Sequence, residues 1–494
     1  MRKSRILTVF LAIAVLFTMS FAAVPAYAAS GTAITNADDL KAMENNPSGS
    51  YYLANDIEVP ANLSLFTDYD HPFTGTLDGN GHKIKGYTYT SGEEWIDEVA
   101  LFARTKNATF KNLSMTDVNI SLNQAGSVAA LAAASENSKF SNISVYGKIT
   151  GKLLRQAAGV AAYNEGSSMT GCKNSTDITI TNASEESHAA GVAGSGTSMK
   201  NCTNSGKISI SGNIKEGGFY AAGVANRIGK ATSCKNSGTI TVSATGSGQQ
   251  VEACTAAGVA GDVDTAVSCS NTGKVSMNAT IQPVDTHMVG GVFAHVVKSA
   301  SKCYNKGAVS YSGKSYCGVY IGGVSGQAHK VSQSYNKGSV TLKIPSAKSA
   351  EQNKVGGVCG TVTDMCNCYN TGSITATGVV FIGGISGYAN PWDDKVVSNY
   401  NTGKIKAATK GTYKGQVIGG YEGTEVVQKR NIYNNYYTGS GTGYAPAYST
   451  QHKYVAKASK VSSIKAANCP KLSSKYWTYS SKYGRMILKN NKEK

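Results

Sequence analysis

The chain is 494 residues long and holds 55 glycines, 28 tyrosines and only 9 prolines, a composition that argues against a string of ordinary globular domains and for one repeated unit. Its hydrophobic content of 41% suffices for a continuous core, whereas charged residues, at 16% against the roughly 25% of an ordinary soluble chain, are too few to cover a conventional surface. The formal charge of +18 is concentrated, because about 17 Lys and Arg stand against about three acids between Asn401 and Lys494, and the body before them is near neutral.

Residues 1–28 read as a signal peptide. Arg2, Lys3 and Arg5 precede an apolar run over residues 6–17, and Pro25, Ala26, Tyr27, Ala28 and Ala29 supply a small-residue exit, with cleavage expected after Ala28. The run is short for a span of about 20 residues, so a retained anchor is disfavoured. No second apolar run of that length and no LPxTG-like sorting phrase follows. The expected location is extracellular, secreted or held non-covalently at the cell surface.

Residues 29–90 are expected to form an N-terminal cap and the first coils. Asn36 followed by Asp39, with Leu40 and Met43 on one side, predicts a capped short helix over about residues 37–45. Asp78-Gly79-Asn80-Gly81-His82 resembles the start of a calcium loop, but Tyr89 stands where an EF-hand needs its closing acid, so a tight turn is expected there and no metal.

Residues 91–440 carry a repeat. Ala-Gly-Val-Ala recurs around Gly159, Gly191, Gly223 and Gly258, then becomes Gly-Gly-Val or Gly-Gly-Ile around Gly291, Gly323, Gly357 and Gly384, at spacings of roughly 27 to 36 residues. A second phrase follows, built on Asn204, Asn236, Asn271, Asn305, Asn336, Asn370 and Asn401 with a glycine two positions on. Short alternating runs such as Lys207-Ile208-Ser209-Ile210 come next, and none has the helical period. The expectation is an all-β, right-handed parallel β-helix with a short N-terminal capping helix and a C-terminal cap. Each strand would pair with its equivalent in the next coil, about 4.8 Å away. The asparagines would form an internal amide ladder, with glycines where coils approach closely. Cys172, Cys202, Cys234, Cys269, Cys303 and Cys368 share one place in the repeat, and the total of 11 is odd, so packed thiols are favoured over a disulfide framework.

The phrases Asn36-Ala37-Asp38-Asp39-Leu40, Tyr52-Leu53-Ala54-Asn55-Asp56-Ile57 and Phe73-Thr74-Gly75-Thr76-Leu77-Asp78-Gly79-Asn80-Gly81-His82-Lys83-Ile84 resemble the opening of bacterial surface proteins with GLUG-motif repeats. Val355-Gly356-Gly357-Val358-Cys359-Gly360 and Asn367-Cys368-Tyr369-Asn370-Thr371-Gly372 look like the motif itself. The resemblance covers most of the mature chain and implies a β-helix on an extracellular protein, often one used in adhesion or glycan binding. Two features depart from it: the early repeats carry Ala-Gly for Gly-Gly, and no surface-attachment module follows.

Catalytic signals are weak. Asp393 and Asp394 beside Trp392 could serve a glycosidase, but a solvated loop between coils is favoured, as it is for Glu93-Glu94 with Asp97-Glu98 and for Glu185-Glu186. The seven histidines show no metal spacing, and His188 reads as a rim residue. No cofactor is expected. The stronger signal is residues 441–494, a basic aromatic cap in which Lys453, Tyr454, Lys457, Lys460, Lys475, Tyr476, Trp477 and Arg485 are candidate ligand-binding residues for an anionic polymer or glycan. The favoured function is a monomeric secreted or surface-associated binding or adhesion protein, with nucleic acid a disfavoured partner. The alternatives are a polysaccharide lyase or glycoside hydrolase on a β-helix scaffold, and a structural spacer.

Overall fold

A computed structural model describes residues 30–246, 251–281, 285–315, 317–344, 353–378, 380–390, 394–407, 413–421, 429–444 and 457–493. The chain begins with the strand Thr32–Ile34 and the helix α1 (Ala37–Ala42), which continues as a 3-10 turn over Met43–Asn45. The Asn36 side-chain oxygen accepts the N–H groups of Asp38 and Asp39 at 2.9 and 3.0 Å, satisfying amides that a helix start leaves unpaired. Leu40 and Met43 are buried, so the helix lays its apolar stripe on the first coils. The turn at residues 78–82 is tight, closed by His82 N–H on the Gly79 carbonyl at 2.7 Å, with Asn80 at φ 51°.

From there the chain winds as a parallel β-solenoid of about ten turns. Register is kept from coil to coil. Ile208, Ile240, Val275, Val309, Val340, Ile374 and Ile405 stack as one inward column. The thiols of Cys172, Cys202, Cys234, Cys269, Cys303 and Cys368 form another, each buried and free. Between the two, Asn174 donates to Asn204 at 2.8 Å, Asn204 to Asn236 at 2.8 Å, and the series continues through Asn271, Asn305, Asn336 and Asn370 to Asn401. Each amide also donates to the carbonyl two residues on, as Asn236 does to Gly238 at 2.8 Å, so the buried nitrogens are satisfied.

The glycine of the first phrase lies against this ladder. A Cβ on Gly258 would come 2.0 Å from the Gly291 carbonyl oxygen and 2.5 Å from the Asn271 side chain, distances no real side chain tolerates. The corner before the cysteine column, which Ile143 and Ser334 occupy in two coils, turns through a left-handed residue, among them Asn142, Asn201, Ser233, Ser268, Lys302, Gln333 and Asn367 at φ 47–59°. Asparagine tolerates that region; lysine and glutamine do so only because coils on both sides fix the bend.

Among the described residues no helix is long and apolar enough to cross a membrane. The C-terminal segment closes the last coil with Ser459–Lys460, which pairs in parallel with Tyr436–Tyr437. It then folds back along the flank and ends in an antiparallel hairpin of Trp477–Ser480 with Arg485–Leu488. Its apolar residues therefore cover the side of the solenoid as well as its end. The side they cover is a tyrosine stack, with Tyr335 and Tyr369 rings 4.9 Å apart and Tyr369 and Tyr400 rings 5.0 Å apart.

Candidate functional site

Each Ala-Gly-Val or Gly-Gly-Val corner joins two strands whose outward residues line a groove along the solenoid. On one wall the register runs Glu98, Ser127, Gln156, His188, Tyr220, Thr255, Met288, Tyr320 and Lys354. Facing it are Ser195, Arg227, Asp262, His295, Gln327 and Thr361. In the C-terminal half Lys354 bridges the walls, its ammonium 4.4 Å from the Tyr320 ring centre and 4.5 Å from that of Tyr388.

The N-terminal half is open. One cavity of about 580 Å3 is lined by Arg155, Gln156, Glu185, Glu186, His188, Glu216 and Glu252. A second of about 550 Å3, sharing Gln156, Glu186 and His188, adds Tyr163, Ser195, Tyr220, Asn226, Arg227 and Asp262. Four glutamates against one arginine make the first strongly acidic. The His188 and Tyr220 rings stack 4.5 Å apart at 12°, and each is tied to a carboxylate. His188 Nε2 lies 2.7 Å from Glu186 Oε1, and the Tyr220 hydroxyl donates to Glu252 at 2.8 Å. The bond to His188 holds the Glu186 carboxyl below its usual range, whereas burial, then Glu252, push the Tyr220 hydroxyl up. Tyr163 and Trp95, 46% and 43% exposed, stand at the margins, and Arg155 covers the Trp95 ring at 5.5 Å.

The basic C-terminal flank is the other distinctive surface. Lys457, Lys460, Lys465, Lys471, Lys475, Lys482, Lys489 and Lys492 are all exposed. Two of the expected ligand-binding residues point elsewhere. Trp477 is 1% exposed and packs its ring 5.4 Å from that of Tyr400, because the tyrosine stack needs an apolar cover. Arg485 is partly buried, 2.5 Å from Glu493, which also takes Lys337 at 2.7 Å and the Tyr369 hydroxyl at 2.8 Å. Burial acts to raise the Glu493 pKa, but those bonds hold it below the ordinary value. Tyr476 is half-buried under Lys475, while Lys453 and Tyr454 lie outside the described residues. Asp394 is partly exposed; Asp393 and Trp392 also lie outside them.

Residues 27–147 match the M26 IgA1-specific metallo-endopeptidase N-terminal region. The match covers the cap and the first coils, not the later repeats whose phrases resemble GLUG-motif proteins. A candidate immunoglobulin A1 protease from Bacteroides ovatus, a solved structure, aligns over 94% of this chain and 94% of its own at 14% identity, with a TM-score of 0.24. No curated protein matches the chain.

The groove was hidden from a linear reading. Glu186, Glu216 and Glu252 stand four, six and five residues before the alanine that opens their corner phrase, so no fixed spacing connects them. A fixed offset from the phrase does connect His188 and Tyr220, each two residues before it.

Proposed function

We propose that this is a secreted, non-catalytic binding protein that stays at an anionic cell envelope through its basic C-terminal flank and presents the solenoid groove outward. One observation carries the reading: the flank turns Trp477, Ile464, Leu472, Met486 and Leu488 inward onto the tyrosine stack and its eight described lysines outward. A layer whose apolar side is spent on packing and whose outer side is cationic suits a polyanion such as teichoic acid or an acidic polysaccharide, held by charge and counterion release. Of the originally favoured residues, Lys457, Lys460 and Lys475 keep a direct part in this surface; Trp477 and Arg485 support it from within.

The test is binding of the mature chain to isolated cell walls, with and without their anionic polymers, across a salt series. Changing Lys471, Lys475, Lys482 and Lys489 together to Gln should weaken retention about tenfold or more and flatten its salt dependence. Salt-independent retention, or retention unchanged in the quadruple variant, would reject the reading.

A second reading draws on the match over residues 27–147, whose family name refers to immunoglobulin A1. It predicts that the immobilised chain retains that immunoglobulin. The sequence carries no H-E-x-x-H zinc phrase, so the peptidase activity in that name is not carried over to these residues.

A further inference from the structure

Near the N-terminal end of the groove one coil leaves a slot. Glu98, Ser127 and Gln156 are in register on one wall, and Arg104, Ala134 and Tyr163 on the other. The middle coil therefore presents only Ser127 and Ala134, whereas the coil before it closes the groove with an ion pair, Arg104 to Glu98 at 2.6 Å. The coil after it raises Tyr163, 46% exposed, and the loop ahead of the first coils brings in Tyr69, 75% exposed, with the Arg104 guanidinium over its ring at 4.6 Å. Tyr69, Glu98, Arg104, Ser127, Ala134 and Tyr163 line a cavity of about 360 Å3, at the lower end of the roughly 300–1,000 Å3 range of small-molecule sites. Side chains two coils apart stand about 9.6 Å from one another, twice the strand spacing, which leaves room for one ring with a contact of about 3.5 Å on each side.

The groups around the slot select the ligand. Lys106 takes Glu136 at 2.9 Å and the Tyr163 hydroxyl donates to Glu165 at 3.1 Å, so with the Arg104–Glu98 pair every carboxylate lining the cavity already has a partner. An ionic ligand would have to break one of these bonds, which favours an uncharged one. The two exposed phenol rings supply flat apolar surface, Ser127 supplies a hydroxyl, and Glu98 keeps lone pairs beyond its bond to Arg104. A pyranose ring meets both demands, with C–H bonds on its faces and hydroxyls on its edge. An aromatic side chain of a peptide would cover the tyrosines but would desolvate Ser127 and Glu98 without replacing their bonds to water. We propose that this slot binds one pyranose unit of an uncharged glycan, stacked on Tyr163 beside Tyr69 with its hydroxyls on Ser127 and Glu98. The slot lies several coils away from the basic flank, and its ligand does not depend on the envelope reading.

The experiment is calorimetric titration of the mature chain with cellotetraose, mannotetraose, maltotetraose and lacto-N-tetraose, with tetragalacturonate and N-acetyltyrosinamide as the ionic and aromatic counterparts. At least one neutral tetrasaccharide should bind saturably, and tetragalacturonate about tenfold more weakly or not at all. Tyr163→Ala and Tyr69→Ala, both at exposed positions, should each weaken the neutral ligand about tenfold. Ala134→Tyr fills the slot with the residue that the next coil already carries in that register, so it should fold normally and lose binding. Ser127→Met should do the same, since Met288 stands farther along that column. The quadruple lysine variant should bind the sugar like the parent; loss there would place the sugar on the flank and overturn the proposal. It fails equally if no neutral tetrasaccharide binds, if N-acetyltyrosinamide binds where the sugars do not, or if both slot-filling variants bind like the parent.

Discussion

The Trp477 indole N–H donates a 2.9 Å hydrogen bond to the Asn367 side-chain oxygen, joining residues 110 positions apart. Asn367 is one of the left-handed corners of the solenoid, so the C-terminal flank is fastened to a turn of the coil it covers. Trp477 also rests on Tyr369 and Tyr400 and is one of the largest buried side chains in the protein. Removing it in Trp477→Ala should cost roughly 3–5 kcal/mol. Because a solenoid's stability is approximately a sum of nearest-neighbour terms, the loss should be local. Hydrogen exchange should show residues 457–493 opening before the coils around Cys202 and Cys234. A single transition with uniform exchange would contradict this.

His287 supplies a pH-dependent term. Its ring is buried, its Nδ1 accepts the Cys254 N–H at 3.0 Å, and burial lowers its pKa to about 4 from the model-compound value of 6.5. The unfolded chain therefore takes up this proton first. The group is neutral in its effect above pH 6.5, costs stability as the pH falls below it, and reaches its full cost, roughly 3 kcal/mol, below about pH 4. Urea denaturation of the parent and of His287→Gln at pH 7 and pH 4.5 isolates the term from the carboxylates. The parent should lose more stability than the variant over that interval; equal losses would place the acid sensitivity elsewhere.

The solenoid was legible because its determinants recur at one place per coil: Gly258 with Asn271, and the β-branched run that follows, repeat in neighbouring units. The cap was legible because Asn36 and Asp39 act within one helical turn. The return of the C-terminal flank depends on a lateral feature. The residue before the ladder asparagine changes from Lys235 and Ser270 to Tyr304, Tyr335, Tyr369 and Tyr400, and an outward tyrosine column needs a cover. A reading that follows the chain sees those tyrosines one at a time. The acidic groove was missed for a related reason: loops of unequal length put Glu186, Glu216 and Glu252 in one cavity, and only the register reveals it.

Lys302 occupies a left-handed corner at φ 56°, where asparagine stands in other coils. Its backbone N–H donates to the Ser332 carbonyl at 3.1 Å, so the bend is fixed whatever the side chain. Lys302→Asn should relieve the steric cost of a long side chain in this region and stabilise the protein by about 0.5–1 kcal/mol. Thermal denaturation at matched ionic strength should show a higher midpoint. A lower one would mean that the lysine side chain contributes more than its backbone strain costs.

Positions where one coil's backbone lies directly against the next should tolerate substitution poorly, and Gly258 is one of them. At Gly258 a methyl group would lie 2.0 Å from the Gly291 carbonyl oxygen, and Asn271 blocks the only lateral movement with its side chain 2.5 Å away. Both obstacles are fixed: the carbonyl belongs to the next coil, and Asn271 is bonded to Asn236, Asn305 and the Gly273 carbonyl. Gly258→Ala must therefore push two coils apart and break ladder bonds, a cost of about 3 kcal/mol or more. Asn271→Ala removes the same obstacle but takes one of two bonds from the Asn236 amide, which keeps the Gly238 carbonyl, and one of two from the Asn305 oxygen, which keeps the Gly307 N–H, and this should cost about 2–3 kcal/mol. If steric and ladder effects share one site, the double variant should be less destabilised than the sum of the singles, by about 1 kcal/mol. Denaturant melts of the three variants decide this. Strict additivity would show that the glycine is required for a reason other than its contact with the ladder.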